Sequence, residues 1–368
     1  MKTGAVAQTA VGNNTELSLT PWRPTIYEPL GLSQPTNLLS KKSMSDDSKE
    51  KPKQAFGDDR LSMVFVADIE GQPPEKISNG FKKYAHFREL SSGGKATLVS
   101  CKDTNLGRRV VLKMLRPELA SDRLELRRLL REARITAQLQ HPATVPMYEL
   151  GQNEKGEWFF AMKQIQGHTL FEIIVGLALR KKPFEDEFNL NRLLSILTQI
   201  GDALAYAHVR GVIHRDVKPE NVIVGMFGEV TLIDWGAAKV WGMPNDGDEH
   251  TKDSRGGTPL YMSPEQVTGN RLVDERTDVF SLGVVMYEML CQTEPFRGRH
   301  VKETFDNILH REPVVPSQAA PHRTIPKRLE EICLQAMQKN PADRFLSMRQ
   351  MIDAINDFRS ESLIQTLG

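Results

Sequence analysis

The chain of 368 residues has few cysteines, no excess of either charge and no long apolar run. Its three cysteines, Cys101, Cys291 and Cys333, lie far apart and have neither metal-ligand nor paired spacing, which favours free thiols in a reducing compartment. Lys and Arg number 48 and Asp and Glu number 47, so the formal charge is +1. This balance gives no field that attracts nucleic acid or an anionic bilayer, and we expect neither as a partner.

Membrane insertion and secretion are also disfavoured. No window reaches the roughly 18 uninterrupted apolar residues of a spanning helix. The first residues, MKTGAVAQTAVGNNTELSLT, contain one Lys and no sustained apolar segment, unlike a secretory signal peptide. Hydrophobic residues at 39% and charged residues at 26% are ordinary for a globular protein. We therefore expect a cytoplasmic protein without a membrane span.

Composition divides the chain at about residue 80. Residues 1–80 are rich in Ser, Thr, Pro, Asn, Lys and Asp, and SKKSMSDDSKEKPKQ (40–54) is polar and aperiodic. Such a segment cannot bury enough apolar surface to offset its ordering entropy, which predicts a mostly disordered N-terminal extension. Two less polar stretches, PWRPTIYEPLG (21–31) and LSMVFVADI (61–69), are interpreted as linker. The alternative for the second is a short strand or a docking peptide.

Residues 81–165 are predicted to form a small β-rich lobe. KATLVSCKD and RRVVLKML are typical strands, and the TNLG between them is a hairpin signal. EWFFAMKQI is a third strand-like run. A helix is predicted between these strands, with Asp122 and Glu125 placed for a capping box at its start.

Residues 166–360 are predicted to form a larger helical lobe, followed by a C-terminal tail over residues 361–368. Apolar residues recur at helical spacing on one face of LNRLLSILTQIGDALAYAH. These residues are Leu193, Leu197, Ile200 and Leu204. The expected fold class is α+β, with a β-rich lobe that carries one helix and a helical second lobe.

Four groups of residues point to chemistry. Lys113 lies in the apolar run VVLK, where an unpaired ammonium is costly, so it needs anionic partners. Glu132 follows in the middle of the predicted helix and offers a carboxylate. HRDVKPEN (214–221) places five polar side chains between apolar stretches, and DWG (234–236) follows the strand-like EVTLI. Alone, Lys113 is equally typical of a strand-edge lysine, Glu132 is equally typical of a solvated helix charge, and DWG would be a turn. A chance polar turn with all five identities of HRDVKPEN is not expected.

The order and spacing of these motifs from Leu90 to Arg344 resemble those of the Hanks-type, eukaryotic-like protein kinases. The residues within the motifs are most similar to those of bacterial Ser/Thr kinases. The resemblance covers about residues 84–358, or about three quarters of the chain. It implies a bilobal kinase fold and transfer of the γ-phosphate of ATP to Ser and Thr hydroxyls of protein substrates. The implied cofactors are ATP and Mg²⁺, with Mn²⁺ as an alternative ion.

The resemblance implies four catalytic residues. Asp216 orients the acceptor hydroxyl and accepts its proton; an aspartate is ordinarily a weak base, so positioning is its main contribution. Lys218 holds the γ-phosphate and its developing charge. Lys113 binds the α- and β-phosphates and pairs with Glu132.

The resemblance also implies a metal site. Asn221 and Asp234 would coordinate Mg²⁺, a hard cation that prefers oxygen ligands. HRDVKPEN (214–221) is called the catalytic loop below, and His214 is expected to pack beneath it. Trp235 stands where the family usually has Phe, and we expect its ring to fill an apolar slot under the helix that carries Glu132.

The glycine-rich loop departs from the family pattern. In LSSGGKATL (90–98) the G-x-G-x-x-G positions fall on Ser91, Gly93 and Ala96, so only the middle glycine remains. Glycine lets backbone amides approach phosphates closely. We expect a working lid that is stiffer or binds more weakly, with Gly94 adding flexibility. The alternative is a plain hairpin that touches no nucleotide.

The implied adenine site is an apolar slot of the usual ligand-binding kind. Val111 and Leu98 lie above the base and Ile223 lies below it. Met162 takes the gatekeeper position, and the backbones of Lys163 and Ile165 hydrogen-bond the base. The full set of implied nucleotide-binding residues is Leu90, Ser91, Gly93, Gly94, Ala96, Leu98, Val111, Lys113, Met162, Lys163, Ile165 and Ile223. The alternative for the apolar members is ordinary core packing.

The segment GTPLYMSPE (257–265) resembles the end of an activation segment. Glu265 is expected to form a buried ion pair with Arg344, and Asp278 to hold the backbone of the catalytic loop. Lys218 and Thr258 match the Ser/Thr-specific pattern.

Arg215, directly before Asp216, marks the kinases that are switched on by loop phosphorylation. Candidate autophosphorylation sites are Thr251, Ser254 and Thr258; Thr251 and Ser254 are equally consistent with plain loop hydroxyls. Trans-autophosphorylation would require self-association. Four arginines on one face of the predicted helix are interpreted as solvated, with contact to a phosphorylated loop as the alternative: Arg123, Arg127, Arg131 and Arg134.

Two rival functions remain. A pseudokinase scaffold would share the fold, but its impaired glycine loop would not support turnover. A small-molecule phosphotransferase would share the catalytic core, and the segment from Thr258 to Glu265 disfavours it.

Overall fold

A computed structural model describes residues 77–241, 258–270 and 273–367, with side chains as far as Ser362. The predicted N-terminal extension lies almost entirely outside the described residues, as do its two less polar stretches. Thr251 and Ser254 also lie outside them.

The first lobe is built on a five-stranded antiparallel sheet with strand order β1-β2-β3-β5-β4. The strands are β1 (Tyr84–Ser92), β2 (Ala96–Asp103), β3 (Arg108–Leu115), β4 (Met147–Gln152) and β5 (Trp158–Lys163). The three predicted strands are confirmed, and Asp103 pairs with Arg108 across the predicted β2–β3 turn. Sequence reasoning did not predict β1 and β4, which are the edge strands and have mostly exposed or half-buried side chains.

The two faces of this sheet bury different residues, as the period-2 pattern of strands requires. Val110 and Leu112 of β3 and Phe159 of β5 lie in one apolar cluster. Phe160, the next residue of β5, packs with Leu129 on the opposite face, against the single helix of this lobe. The sheet is thus covered on the side that faces the helix.

That helix, α1 (Arg123–Gln138), begins where the sequence predicted. Asp122 is its N-cap and accepts hydrogen bonds from the backbone N–H groups of Leu124 and Glu125. The predicted capping box is not formed in full, because the Glu125 carboxylate accepts instead from the side chains of Lys95 and Arg128. Two cations therefore outcompete one backbone amide for this carboxylate.

The second lobe is helical. Its helices are α2 (Leu170–Ala178), α3 (Lys182–Glu187), α4 (Leu190–Val209), α5 (Pro264–Val267), α6 (Arg276–Cys291), α7 (Val301–His310), α8 (Pro316–Ala319), α9 (Lys327–Ala336) and α10 (Met348–Leu367). The predicted apolar face of α4 is buried in the main core. Helix α10 continues through Leu367, so the predicted tail over residues 361–368 is helical for most of its length.

Short strands flank the two loops that carry the HRDVKPEN and DWG motifs. β7 (Val212–Ile213) precedes HRDVKPEN and β8 (Val222–Val224) follows it. β9 (Val230–Leu232) precedes DWG and β10 (Lys239–Val240) follows it. β6 (His168–Thr169), β8 and β9 form one sheet, while β7 pairs with β10. This pairing brings the two polar loops to the same side of the second lobe.

The three cysteines are free and buried. In the part of the chain that the structure describes, no helix combines the length and apolar character that crossing a membrane requires. The α+β fold with a β-rich lobe and a helical lobe is as predicted.

Candidate active site

Lys113 joins three elements that are far apart in sequence. It lies on β3, and its Nζ is 2.5 Å from Glu132 Oε1 on α1 and 3.4 Å from Asp234 Oδ1 after β9. The side chains of Lys113 and Glu132 are 15% and 9% exposed, whereas that of Asp234 is 45% exposed. The ammonium is therefore held between a buried carboxylate and one that opens to solvent.

The charges of this triad shape one another. Burial by itself lowers the pKa of Lys113, but Asp234 and Glu132 outweigh burial and raise it above its ordinary value. Burial raises the pKa of Glu132 to about 7, against the opposing attraction of Lys113. Lys113 lowers the pKa of Asp234 to about 2, so Asp234 is ionised at neutral pH. An ionised, partly exposed carboxylate is a suitable ligand for a hard cation.

The backbone of the catalytic loop is held from below by α6. Asp278 accepts hydrogen bonds from the backbone N–H groups of His214 at 2.8 Å and Arg215 at 2.9 Å. Its Oδ2 also lies 2.8 Å from His208 Nε2. Arg215 has a left-handed φ of 67°, a strained conformation for a residue with a Cβ, and these bonds hold it there. The predicted role of Asp278 is confirmed.

Asp216 is the centre of a polar network at the top of this loop. Its carboxylate oxygens lie 2.7 Å from Lys218 Nζ and 2.8 Å from the backbone N of Thr258. Lys218 Nζ also donates to Thr258 Oγ1 at 2.7 Å. The catalytic loop and the segment that begins at Thr258 therefore meet at one carboxylate.

Asn221 is oriented by the same carboxylate. Its Nδ2 donates to the backbone oxygen of Asp216 at 2.9 Å and to Asp216 Oδ2 at 3.2 Å. Because the amide nitrogen is engaged in this way, the amide oxygen is the atom that Asn221 offers to a cation. The orientation of the Asn221 amide is thus fixed by Asp216, and its binding of a metal stays a prediction.

The DWG segment lies next to α1 at Gly236, and its tryptophan lies in the main core beside His214. The Trp235 ring is buried and lies edge-on to the His214 ring, with 4.6 Å between ring centroids. A Cβ on Gly236 would lie 3.0 Å from Asp234 Oδ1 and 3.2 Å from Glu132 Oε2. A larger residue here would therefore be tight against both carboxylates, which would have to shift by a few tenths of an ångström.

The glycine-rich loop is a tight β-hairpin between β1 and β2. The N–H of Gly93 donates to the carbonyl of Ala96 at 2.9 Å, and Ser91 pairs with Leu98. Nothing lies within 4 Å of a Cβ built on Gly94. The turn at the tip is uncrowded, and its contact with phosphates stays a prediction.

The predicted adenine-slot residues fall close together. Val111 pairs with Met162 across β3 and β5, and Ile165 and Ile223 share a buried cluster with Val145. Sequence reasoning did not find Val145, because an isolated valine in a loop carries no periodic signal. Leu90 and Leu98 are half-buried on the adjoining hairpin, and the N–H of Lys163 donates to the carbonyl of Pro146 at 2.9 Å.

Lys239 is a second residue that the motifs did not reveal. It follows DWG on β10, and burial and then the nearby charges of Arg215 and Arg131 lower its pKa. The charges of both arginines therefore act on Lys239. Contact of Arg131 with a phosphorylated loop stays a prediction.

The end of the activation segment is anchored as predicted. Arg344 Nη1 and Nη2 lie 2.7 Å and 2.8 Å from the two carboxylate oxygens of Glu265. The Arg344 side chain is 0% exposed and that of Glu265 is 9% exposed. This bidentate geometry is the strongest form of an arginine–carboxylate pair.

Together these contacts define a protein of the kinase class: a lysine–glutamate pair under a β-hairpin, facing an aspartate–asparagine–lysine loop. A family model described as "Protein kinase domain" matches residues 84–354. The chain belongs to the protein kinase family.

Two relatives illustrate the likeness. The chain is 32% identical over 300 residues to "Serine/threonine-protein kinase PknD" of Chlamydia trachomatis, covering 75% of this chain and 32% of that protein. It is 33% identical over 291 residues to the protein of the same name from Chlamydia pneumoniae, covering 74% of this chain and 31% of that protein. The chain thus spans about a third of the length of these curated relatives.

Proposed function

We propose that the chain is a protein serine/threonine kinase that transfers the γ-phosphate of ATP to Ser and Thr hydroxyls of proteins. The observation that supports this proposal is that the Lys113 ammonium joins Glu132 and Asp234, while Lys218, which pairs with Asp216, also acts on Asp234 through its charge. Phosphoryl transfer depends mainly on positioning and charge neutralisation, and these side chains supply both.

The donor set fits magnesium. Asp234 offers an ionised carboxylate and Asn221 offers an amide oxygen, and Mg²⁺ is usually held by one or two such ligands together with phosphates and water. Mn²⁺ takes the same oxygen ligands. When bound, the ion neutralises the phosphate charge. Lys113 would hold the α- and β-phosphates, and Glu132 keeps its ammonium in place.

Acceptor activation falls to the catalytic loop. Asp216 would orient the Ser or Thr hydroxyl and take its proton, and Lys218 beside it would neutralise charge on the transferred phosphoryl group. Thr258 closes this network from the activation segment. Val111, Leu98 and Ile223 would enclose the adenine, with the backbones of Lys163 and Ile165 as its polar contacts.

Autophosphorylation of the activation segment is part of the proposal. The charges of Arg215 and Arg131 act on Lys239, and a phosphorylated side chain would interact favourably with such cations. Thr251 and Ser254 are the proposed acceptors. Transfer between two copies of the chain would require self-association. The buried free thiols are consistent with action in the cytoplasm.

The two rival functions have less support. A scaffold without turnover requires no Asp216–Lys218–Thr258 network, yet the network is formed. A small-molecule phosphotransferase requires no anchored segment from Thr258 to Glu265, yet the Arg344 pair anchors it.

A radiolabelled ATP assay tests the proposal. We expect the chain with Mg²⁺ to label a protein acceptor or itself, and Asp234→Ala to lose at least about 100-fold of this activity because the metal carboxylate is gone. Asp202→Ala is the matched control, since Asp202 forms an ion pair with Arg349 and is 38% exposed. Equal labelling by the chain and Asp234→Ala would rule out the proposed function.

A further inference from the structure

The tip of the glycine-rich hairpin carries a lysine whose carboxylate partner is neither Glu132 nor Asp234. Lys95 lies between Gly94 and Ala96, and its Nζ is 2.9 Å from Glu125 Oε1 in the first turn of α1. The backbone carbonyl of Lys95 accepts from the N–H of Arg116 at 3.0 Å, which fixes the turn against the end of β3. The ammonium is thus placed on the hairpin that would cover the phosphates.

The two partners of this ion pair differ in their freedom. The Lys95 side chain is 60% exposed, whereas that of Glu125 is 11% exposed. Glu125 also accepts from Arg128 Nη1 at 2.5 Å. If Lys95 leaves, the carboxylate is still paired with the guanidinium, so the penalty of an uncompensated buried charge does not arise. The long lysine side chain can therefore change partners at low cost.

A second lysine–glutamate pair lies on the same face of α1. Glu125 and Glu132 are seven residues apart, which places them two turns and about 10.5 Å apart along the helix axis. Glu132 holds Lys113, the proposed ligand of the α- and β-phosphates. The pair formed by Lys95 and Glu125 lies nearer the N-terminus of α1, at the hairpin tip. The two ammonium groups are thus bound along one face of α1, about two turns apart.

We propose that Lys95 is a phosphate-positioning residue, and that Glu125 competes with the phosphates of ATP for its ammonium group. In the structure Lys95 is paired with Glu125. When ATP binds, Lys95 moves to the terminal phosphates and Glu125 remains with Arg128. The added charge compensates for the glycines that Ser91 and Ala96 replace. This inference rests on the proposed function, because it takes ATP as the ligand of the cleft.

The competition predicts opposite effects for the two partners. We expect Lys95→Ala to weaken MgATP binding by about fivefold, the scale of a partly exposed ionic contact. We expect Glu125→Gln to tighten MgATP binding by about threefold, because the competitor has lost its charge. Glu125→Gln should have no effect in a Lys95→Ala background, and neither change should alter the binding of adenosine, which has no phosphate.

Isothermal titration calorimetry of the full chain with MgATP and with adenosine measures these effects. Lys155→Ala is the matched control, because Lys155 is an exposed lysine in the turn between β4 and β5. Lys95→Arg, which keeps the charge, should retain affinity closer to that of the unaltered chain than Lys95→Ala does. Thermal melting without nucleotide identifies any variant whose fold is altered.

Four outcomes decide whether the inference holds. Opposite shifts for Lys95→Ala and Glu125→Gln, with no shift for adenosine, support the inference. Weaker MgATP binding by both variants would overturn it, since that pattern is expected of an ion pair that merely positions α1. Unchanged MgATP binding by Lys95→Ala would also overturn it while leaving the proposed function intact, whereas no binding of MgATP by the unaltered chain would overturn both.

Discussion

Two carboxylates that share one ammonium group differ in pKa. Lys113 lowers the pKa of Asp234 to about 2, while burial raises the pKa of Glu132 to about 7. The two acids differ because Asp234 opens to solvent and Glu132 is enclosed by α1 and the sheet. At the residue scale, the same functional group is thus ionised in one position, where we propose a metal ligand, and has a raised pKa in the other, where it anchors the lysine.

Trp235 gives a prediction at this scale. Its indole Nε1 is buried and has no hydrogen-bond partner. Tryptophan in place of phenylalanine therefore leaves one buried donor unsatisfied, which is unfavourable for folding. We expect Trp235→Phe to change the free energy of unfolding by no more than about 1.5 kcal/mol, because the lost volume is offset by removal of that donor. Trp235→Ala should cost about 3 to 5 kcal/mol.

Urea denaturation of the three proteins measures the difference. If Trp235→Phe were as destabilising as Trp235→Ala, the indole group would have a stabilising role that its contacts do not explain.

The residues of the site differ in how far the sequence could predict them. Lys113, Asp216 and Asp234 lie in short motifs whose order is informative. The structure places Lys113 beside Asp234, and Lys218, the partner of Asp216, acts on Asp234 through its charge. Lys95 and Lys239 could not be found in this way, because each depends on partners that folding brings near. Lys95 meets a carboxylate thirty residues away, and no local pattern encodes that distance.

At the scale of elements, α1 is the scaffold that both lysine–glutamate pairs share. Its N-cap was predictable because Asp122 directly precedes the helix. The fate of the Glu125 carboxylate was not, since the local capping pattern competes with Lys95 from another element. Strands β1 and β4 were missed for a related reason: edge strands with exposed side chains lack the alternation that marks a half-buried strand.

The anchor of α5 provides a prediction about elements. Arg344 pairs with Glu265 on α5 and also donates to the backbone carbonyls of Gln338, Lys339 and Arg276. We expect Arg344→Ala to reduce the free energy of unfolding by about 3 to 5 kcal/mol, because the buried Glu265 carboxylate loses its partner.

Arg349→Ala is the control for that experiment. Arg349 also pairs with a carboxylate, that of Asp202, but its side chain is 61% exposed, so its loss should cost at most about 1 kcal/mol. Chemical denaturation of both variants compares the two pairs. A similar small loss for Arg344→Ala would contradict the view that this pair fixes α5.

At the scale of the whole molecule, the second lobe buries a carboxylate that responds to pH. Glu288 on α6 accepts a hydrogen bond from the Tyr261 hydroxyl at 2.7 Å. Burial, followed by the charge of Glu294, raises the pKa of Glu288 from 4.5 to about 8; Glu220 acts in the same direction and Arg297 opposes it. The folded protein thus retains a proton that the unfolded chain has already released.

This difference predicts how stability changes with pH. Below pH 4.5 both states are protonated at Glu288, and between pH 4.5 and about 8 only the folded state is. The free energy of unfolding therefore falls as pH rises through this window, by up to about 1.4 kcal/mol per pH unit, because the folded state binds this proton more tightly. Urea denaturation at several pH values should show a smaller decline for Glu288→Gln than for the unaltered chain.

Glu331→Gln is the control for the pH series, because Glu331 is exposed and pairs only at the surface with Arg328. Its pH dependence should match that of the unaltered chain. An unchanged slope in Glu288→Gln would contradict a raised pKa for this buried acid.

The central claim is that the whole chain uses the cleft between its lobes to phosphorylate Ser and Thr. Mass spectrometry of the full chain after incubation with ATP and Mg²⁺ tests this most directly, with Asp216→Asn treated in parallel. We expect phosphorylated Ser or Thr residues in the unaltered chain, including Thr251 or Ser254, and none in Asp216→Asn. No added phosphate in the unaltered chain, or equal phosphate in both proteins, would contradict the account.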